Sequence, residues 1–139
     1  MNDLKDEIKR KVKEWVDFAD SDLAYAQHGL TLTEGNPYRH VAFNAQQCAE
    51  KYLKAYLIYR KIDFPYTHDI SVLLKLCEET AIWVTEISNA KILTSYAATL
   101  RYPGVDSVVT KEEAINAIDI AVKVRGIVRN ALITEGFDL

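Results

Sequence analysis

The chain has 139 residues, 49% hydrophobic and 27% charged, with a formal net charge of −3 at pH 7. This composition is typical of a single folded domain and argues against disorder. With this net charge the chain has no strong basic field to hold a nucleic-acid backbone by charge alone, so any contact with RNA or a nucleotide would have to be local. The charged N-terminus and the lack of an apolar run near the ~20 residues that span a bilayer predict a cytoplasmic protein, outside the membrane, with one domain over residues 1–139.

The first two predicted helices differ in how much of their surface is apolar. The first carries an apolar stripe at 3–4 residue spacing, which is a strong helix signal: Leu4, Ile8, Val12, Trp15, Ala19, Leu23, Ala26 and Leu30. The second, from about Tyr38 to Lys61, is apolar around most of its circumference, so we expect burial on more than one side. It is either the central helix of a bundle or a helix whose second face also contacts another copy of the chain.

A short helix and a longer one follow the second helix. After Pro65, Thr67 or Asp69 can cap a short helix that runs to about Glu79. A fourth helix is predicted over residues 83–100. Pro37, Pro65 and Pro103 fall between periodic segments, where a helix is expected to stop.

The last predicted helix begins with a capping box, in which Thr110 and Glu113 satisfy each other's backbone amides. Gly126 lies inside this helix and predicts close packing against another helix, since glycine costs about 1 kcal/mol of helix propensity relative to alanine. No alternating β pattern runs for a useful length. The predicted fold is therefore all-α, an up-down antiparallel bundle of four long helices plus one short helix.

Missing motifs exclude most enzyme classes. The sequence has no Walker-type G-x-x-x-x-G-K-[ST], no G-x-G-x-x-G after a strand and no HExxH. His28, His40 and His68 are far apart and lack the spacing of metal ligands, so no metal or cofactor is expected. Cys48 and Cys77 form no CxxC pair and are expected to be free thiols.

Polar residues on the second helix form the first candidate site. Lys51 and Lys54 share one side of the helix with Gln47 beside them, and Glu50 precedes Lys54 by four residues. Two ammonium groups on one side would suit a phosphate. The alternative is a solvated stripe whose salt bridges contribute only a few tenths of a kcal/mol.

Two further candidate sites lie at helix ends. His68, at the start of the short helix, could contact an anion or move a proton, because helix N-termini attract anions. Alternatively, Thr67 or Asp69 only caps that helix and His68 makes a structural hydrogen bond. Arg101 with Tyr102, after the fourth helix, suits a phosphate and a base, or else caps the helix and packs over the bundle end.

Asp22 is unusual because it lies beside the inward stripe of the first helix. A partly buried carboxylate needs a partner. We expect Arg101 or a lysine of the second helix to be that partner.

Together these residues make the chain resemble the HEPN family (higher eukaryotes and prokaryotes nucleotide-binding) over nearly its whole length. The resemblance rests on Trp15, Ala19 and Asp22-Leu23, then Phe43-x-x-Gln46-Gln47-x-Ala49-Glu50-Lys51-x-x-Lys54-Ala55, then Thr67-His68-Asp69, Arg101-Tyr102-Pro103 and an alanine-rich last helix. It implies a helical bundle, commonly a homodimer, with a role near nucleotides or RNA. Small members often work beside a minimal nucleotidyltransferase, sometimes as the toxin half of a toxin–antitoxin pair.

Some HEPN proteins are metal-independent ribonucleases with an Arg-x4–6-His motif, usually in the last helix. Here Arg125 and Arg129 have no histidine after them, and seven residues with a proline-containing turn separate Arg60 from His68. The Arg-x4–6-His motif is missing, and with it the histidine expected to act as general acid and base. Its absence favours a nucleotide-binding module over an enzyme. The alternatives are a ribonuclease with a non-standard Arg/His pair, such as Arg60 and His68 or Arg101 and His68, and a purely structural dimerisation domain.

Overall fold

A computed structural model of the chain describes residues 2–101 and 108–139, with side chains for residues 3–97 and 108–139. This part of the chain folds into helices and contains no strand, which confirms the predicted all-α bundle. The helices are α1 (Asn2–Gly29), α2 (Tyr38–Tyr59), α3 (Ile70–Cys77), α4 (Thr94–Arg101) and α5 (Lys111–Thr134), with a 3₁₀ segment, Ile82–Leu93, between α3 and α4.

The central element of the bundle is α2. It packs against α1 and α5, and α3, α4 and the 3₁₀ segment cover more of its surface. Its large side chains Tyr52, Leu53, Tyr56 and Leu57 are fully buried. The helices of this one chain therefore account for the burial of α2 on more than one side, as its composition predicts.

The predicted fourth helix is divided into two parts. Its first part is the 3₁₀ segment, interrupted at Ile87 by non-helical backbone angles (φ −124°, ψ 22°), and only its last part is α4. The buried residues of the segment are Val84, Ile87, Ala90 and Leu93, one every third position. This spacing matches the three residues per turn of a 3₁₀ helix rather than the 3.6 of an α-helix, which gives the physical reason for the difference.

The predicted role of Gly126 is wrong within the chain. Gly126 is exposed, and a Cβ atom built there would have no described atom within 4 Å apart from its chain neighbours and the nearby backbone of its own helix. The close approach occurs instead at Gly29, the last residue of α1, where a Cβ atom would lie 2.6 Å from Cγ2 of buried Val41. The predicted capping box of Thr110 and Glu113 is confirmed.

Candidate functional site

The polar motif of α2 is built around the buried carboxylate of Glu50. Its Oε1 accepts a hydrogen bond from Gln46 Nε2 at 2.9 Å and lies 2.9 Å from Nδ1 of His68. Its Oε2 accepts from Nζ of Lys54 at 3.0 Å. Because Gln46, Glu50 and Lys54 are four residues apart, they share one side of α2 and meet the segment before α3.

Lys54, predicted as an anion contact, is enclosed by the protein. Its side chain is only 6% exposed and pairs with Glu50. Its ammonium also lies 5.6–5.9 Å from the ring centroids of Trp15, Phe64 and Tyr66, within the range of a cation–π interaction. Lys54 therefore joins α1, α2 and the loop before α3, and little of it is open to a ligand.

Lys51 is the more accessible of the two lysines. Its Nζ donates to Asp22 Oδ2 at 2.6 Å, and the two side chains are 22% and 17% exposed. This pair confirms the prediction that a lysine of the second helix is the partner of Asp22. Burial raises the pKa of the Asp22 carboxyl above its usual value, while the hydrogen bond and charge of Lys51 act in the opposite direction.

The Thr67-His68-Asp69 segment caps α3, as one of its two predicted roles requires. Asp69 is the N-cap residue and accepts from the backbone N–H of Ser71 at 2.9 Å. Thr67 Oγ1 accepts from the backbone N–H of Asp69 at 3.0 Å. With Nδ1 of His68 turned to Glu50, Nε2 is the ring nitrogen through which His68, 30% exposed, could meet a ligand. Gln47 donates to Oε1 of Gln46 at 2.7 Å and so supports the same network.

An open groove of about 400 Å³ runs beside Lys51. It is lined by Glu14, Trp15 and Phe18 of α1 and by Lys51 of α2. Phe18 is 63% exposed, and the ammonium of Lys51 lies 5.7 Å from its ring centroid. A positive group beside an accessible aromatic face is an arrangement that can take a phosphate and a planar base. Phe18 was not among the residues predicted from the sequence, although a phenylalanine off the inward stripe of an amphipathic helix was a usable signal.

Two predicted site residues fall outside what the structure describes. The backbone of Arg101 ends α4, but its side chain is not described, and Tyr102 lies outside the described residues. Their anion-binding and stacking roles stay predictions.

A second polar cluster joins α1, α2 and α5, and sequence reasoning missed it. Asp20 Oδ1 accepts from the hydroxyl of Tyr52 and from Nε of Arg125 at 2.8 Å, and Oδ2 lies 3.6 Å from Nη1 of Arg129. Burial and the hydrogen bond to Asp20 raise the pKa of Tyr52, and the same carboxylate raises the pKa of Arg125. The four-residue spacing of Arg125 and Arg129 was visible, but their partner on α1 was not.

Arg60 and His68, one of the two alternative ribonuclease pairs, are held at different places, while the pair of Arg101 and His68 stays a prediction because the side chain of Arg101 is not described. Arg60 Nη1 pairs with Oε1 of Glu135 at 2.8 Å, and the hydroxyl of Tyr56 donates to Oε2 of the same residue at 3.2 Å. His68 is bound to Glu50, which lies ten positions before Arg60 on the chain, or roughly 15 Å along a helix. The described structure does not bring the pair together.

Among the described residues, no three histidine, cysteine or acidic side chains are grouped so that they could hold a metal ion. The described helices include none with the length and apolar character needed to cross a membrane.

Comparisons with known proteins identify the family. The family model of the HEPN domain matches residues 12–131. The fold is similar to the crystal structure of ST0689, an archaeal HEPN homologue, with a TM-score of 0.69 and 25% identity over 87% of this chain and 97% of that one. It is also similar to the crystal structure of TT1696 from Thermus thermophilus, with a TM-score of 0.68 and 28% identity over 86% and 97%. No curated protein matches the sequence. The chain, with the polar motif and helical bundle described above, is therefore a member of the HEPN domain family.

Proposed function

We propose that this HEPN domain is a nucleotide-binding module and that the nucleotide lies in the groove between Phe18 and Lys51. The observation that carries the proposal is the position of the Lys51 ammonium, 5.7 Å from the centroid of a phenylalanine ring that is 63% exposed. Base stacking on an aromatic side chain contributes about 1–3 kcal/mol, and it tolerates any base. The base would stack on Phe18 while a phosphate meets Lys51.

Lys51 keeps donors for a ligand although it is already paired. An ammonium has three N–H donors, and one of them is directed at Asp22. The remaining donors suit phosphate oxygens at the edge of the groove. In contrast, the ammonium of Lys54 is enclosed by Glu50 and three rings, so its contribution is to hold the groove wall that contains Trp15.

The charge of the chain favours a small ligand over long RNA. A polyanionic strand is held mainly by several lysine or arginine contacts, each of which releases counterions. Here the net charge is −3, and both lysines of the motif are already paired with carboxylates. A mononucleotide needs only one or two such contacts. RNA is the ligand of second choice.

The partner in this proposal is a minimal nucleotidyltransferase, in a pair of the toxin–antitoxin kind, acting with a homodimer of this chain. This part of the proposal is supported by family membership alone, because no contact among the described residues points to a particular partner. Isothermal titration of this protein with a purified minimal nucleotidyltransferase, with and without nucleotide, tests it. No heat of binding in either case would remove the partner from the proposal.

The test of the nucleotide site is an NMR titration with ATP, GTP and a short RNA. We expect saturable shifts at Phe18, Trp15 and Lys51, and a loss of affinity of about tenfold in Lys51→Ala and in Phe18→Ala. Lys13→Ala is the matched control, because it removes the same charge from an exposed pair with Asp17 on α1. Equal affinities in Lys51→Ala and Lys13→Ala would overturn the assignment.

A structural role for the polar motif is the second candidate, and the burial of Glu50 favours it. Its carboxylate is 3% exposed and meets three polar partners. On this account, substitutions at Lys51 or His68 lower the melting temperature and leave any nucleotide binding unchanged, whereas a nucleotide site at Lys51 loses affinity in Lys51→Ala. A metal-free RNA cleavage assay tests the ribonuclease alternative. A ribonuclease that uses His68 would cleave RNA and lose that activity in His68→Ala, whereas a nucleotide-binding module or a structural domain would not cleave RNA at all.

A further inference from the structure

A pocket rich in positive charge lies where the first part of α1 meets the C-terminal end of α2. Its volume is about 390 Å³, and its lining consists of Lys5, Ile8, Lys9, Tyr59, Arg60 and Lys61. We call these six residues the basic pocket. Four of the six are lysine or arginine, and none is acidic. The basic pocket shares no lining residue with the proposed nucleotide groove.

The lysines of the basic pocket have no carboxylate partners. The remaining lysines and the arginine of α1 each pair with an acidic residue four positions away. In contrast, no ion pair or hydrogen bond within the described part of the chain involves the side chain of Lys5, Lys9 or Lys61. Lys5 and Lys9 are four residues from each other, a spacing at which like charges repel on a helix. The pocket therefore holds a local excess of positive charge that an anion would neutralise.

The backbone at Lys61 is left-handed, with φ of 58°. The N–H of Lys61 donates to the carbonyl of Ile58 at 3.1 Å, and the N–H of Ile62 donates to that of Leu57 at 2.9 Å. These two bonds form a Schellman motif at the end of α2, which favours glycine at the left-handed position. A lysine thus occupies a position at which glycine would be less strained. Because strained residues of this kind cluster at binding sites, the conformation supports a functional role for the Lys61 side chain.

Contacts with Glu135 fix the wall of the pocket that α2 provides. The hydroxyl of Tyr59 donates to the backbone carbonyl of Glu135, and Nη1 of Arg60 lies 2.8 Å from Oε1 of the same residue. A guanidinium has five N–H donors, so Arg60 keeps others for a ligand. A wall that is already ordered costs little conformational entropy when a ligand binds.

We propose that the basic pocket binds a small anion with two or three consecutive phosphate groups. Ammonium groups bind phosphate as point charges, and the three unpaired lysines with Arg60 match several negative charges better than the single charge of a carboxylate. The volume is near the lower end of the range for small-molecule sites, which suits a compact anion. An inorganic oligophosphate and the phosphate tail of a nucleotide both have this chemistry.

The basic pocket and the nucleotide groove are distinct sites. Lys5 and Phe18 are thirteen positions apart on α1, or roughly 20 Å along a helix. The surface between the two sites includes Glu14 and Asp63 in its lining, and these carboxylates oppose a continuous path for a polyanion. The anion site and the nucleotide site can therefore fail independently.

The first test is isothermal titration of the full chain with inorganic tripolyphosphate, which has phosphates but no base, at low salt. We expect saturable one-to-one binding that Lys9→Gln and Lys61→Gln each weaken by roughly fivefold to tenfold, because each removes one ammonium group. Lys13→Gln is the matched control, since it removes the same charge one turn further along α1 from a lysine paired with Asp17. Phe18→Ala should leave tripolyphosphate binding unchanged.

The second test uses Lys61→Gly to separate binding from folding. Glycine adopts the left-handed backbone without strain, so this variant should have a higher melting temperature than the wild type. It should also bind tripolyphosphate as weakly as Lys61→Gln does. A loss of affinity in a variant that is more stable is not a folding defect.

ATP titrated into Phe18→Ala distinguishes the two sources of the anion. Tighter binding than tripolyphosphate indicates a nucleotide tail, equal or weaker binding indicates a free oligophosphate, and both should depend on Lys9 and Lys61. Absence of saturable binding at millimolar tripolyphosphate would overturn the proposal. So would a Lys13→Gln variant that loses as much affinity as Lys9→Gln, or a Lys61→Gly variant that keeps full affinity.

Discussion

Glu50 and Lys54, one turn apart on α2, form an ion pair with 3.0 Å between Oε2 and Nζ, and their side chains are 3% and 6% exposed. Two charges removed this far from water need further polar contacts to offset their desolvation. Gln46 and His68 supply them on one side, and three aromatic rings face the ammonium on the other.

We expect Glu50→Ala to lower the free energy of unfolding by about 3–5 kcal/mol, because it leaves the Lys54 ammonium buried without a counter-charge. Glu50→Gln should cost less, since an amide oxygen can still accept a hydrogen bond. Urea denaturation measures both values. A loss below about 1 kcal/mol in Glu50→Ala would show that water reaches Lys54 and that the network is not a structural centre.

Asp22→Asn should maintain or raise stability at neutral pH. Burial raises the pKa of Asp22 in the folded protein, so the folded state binds its proton before the unfolded state does, and the contribution of this group to stability improves as pH falls toward 3.8. The asparagine removes the cost of the buried charge. The difference in unfolding free energy between variant and wild type should be largest at pH 7 and shrink in acid.

Asp17→Asn is the control for this experiment, because Asp17 is 62% exposed and pairs with Lys13 on the surface of α1. A variant Asp22→Asn that is much less stable than wild type at pH 7 would contradict the expectation, since it would mean that the pair with Lys51 outweighs the burial of the carboxylate.

Alanine substitutions at the two helical glycines, Gly29 and Gly126, should change the free energy of unfolding in opposite directions. Gly126→Ala should raise the free energy of unfolding of the monomer by about 0.5–1 kcal/mol, because the exposed site has space and alanine favours the helix. Gly29→Ala should lower it by about 1–3 kcal/mol, because the added Cβ would meet the stiff side chain of buried Val41 at 2.6 Å. Thermal unfolding at a concentration too low for self-association compares them. Equal effects would contradict the described packing.

Stability should fall in alkaline solution partly because of the two thiols. Burial raises the pKa of Cys48 and Cys77 from 9.0 to about 12, so above pH 9 the unfolded state loses these protons first and becomes favoured. The buried tyrosines act in the same direction. A Cys48→Ala/Cys77→Ala variant should therefore lose less stability than wild type between pH 8 and pH 11, measured by urea denaturation. Parallel curves would argue against this role of the thiols.

The sequence predicted the long helices well because each has an apolar stripe or face of about 3.6 residues' period. It also predicted that Asp22 pairs with either Arg101 or a lysine of the second helix, and the structure shows the lysine, Lys51, as its partner. The 3₁₀ segment was missed because apolar residues three apart, such as Val84 and Ile87, fit one turn of either helix type. Only the repeat at Ala90 and Leu93 distinguishes the two.

The candidate site was harder to predict than the fold. The sequence shows that Lys51 and Lys54 share one side of α2. How far each side chain is buried depends on neighbours that are distant in sequence. Phe64 and Tyr66 enclose Lys54, whereas exposed Phe18 leaves Lys51 at the edge of a groove. The cluster at Asp20 was missed for the same reason, since its arginines come from a helix about a hundred residues later.

The contacts of Glu135 with Tyr56 and Arg60 have a consequence for how this chain folds as it is synthesised. Glu135, the partner of Arg60, is synthesised 75 residues after it. The side of α2 that packs on α5 stays uncovered for about the same time. At translation rates of 5–20 residues per second, this delay is roughly 4–15 s. During that interval the apolar side of α2 that packs on α5 has no cover from α5, and exposed apolar surface of this kind is prone to aggregation.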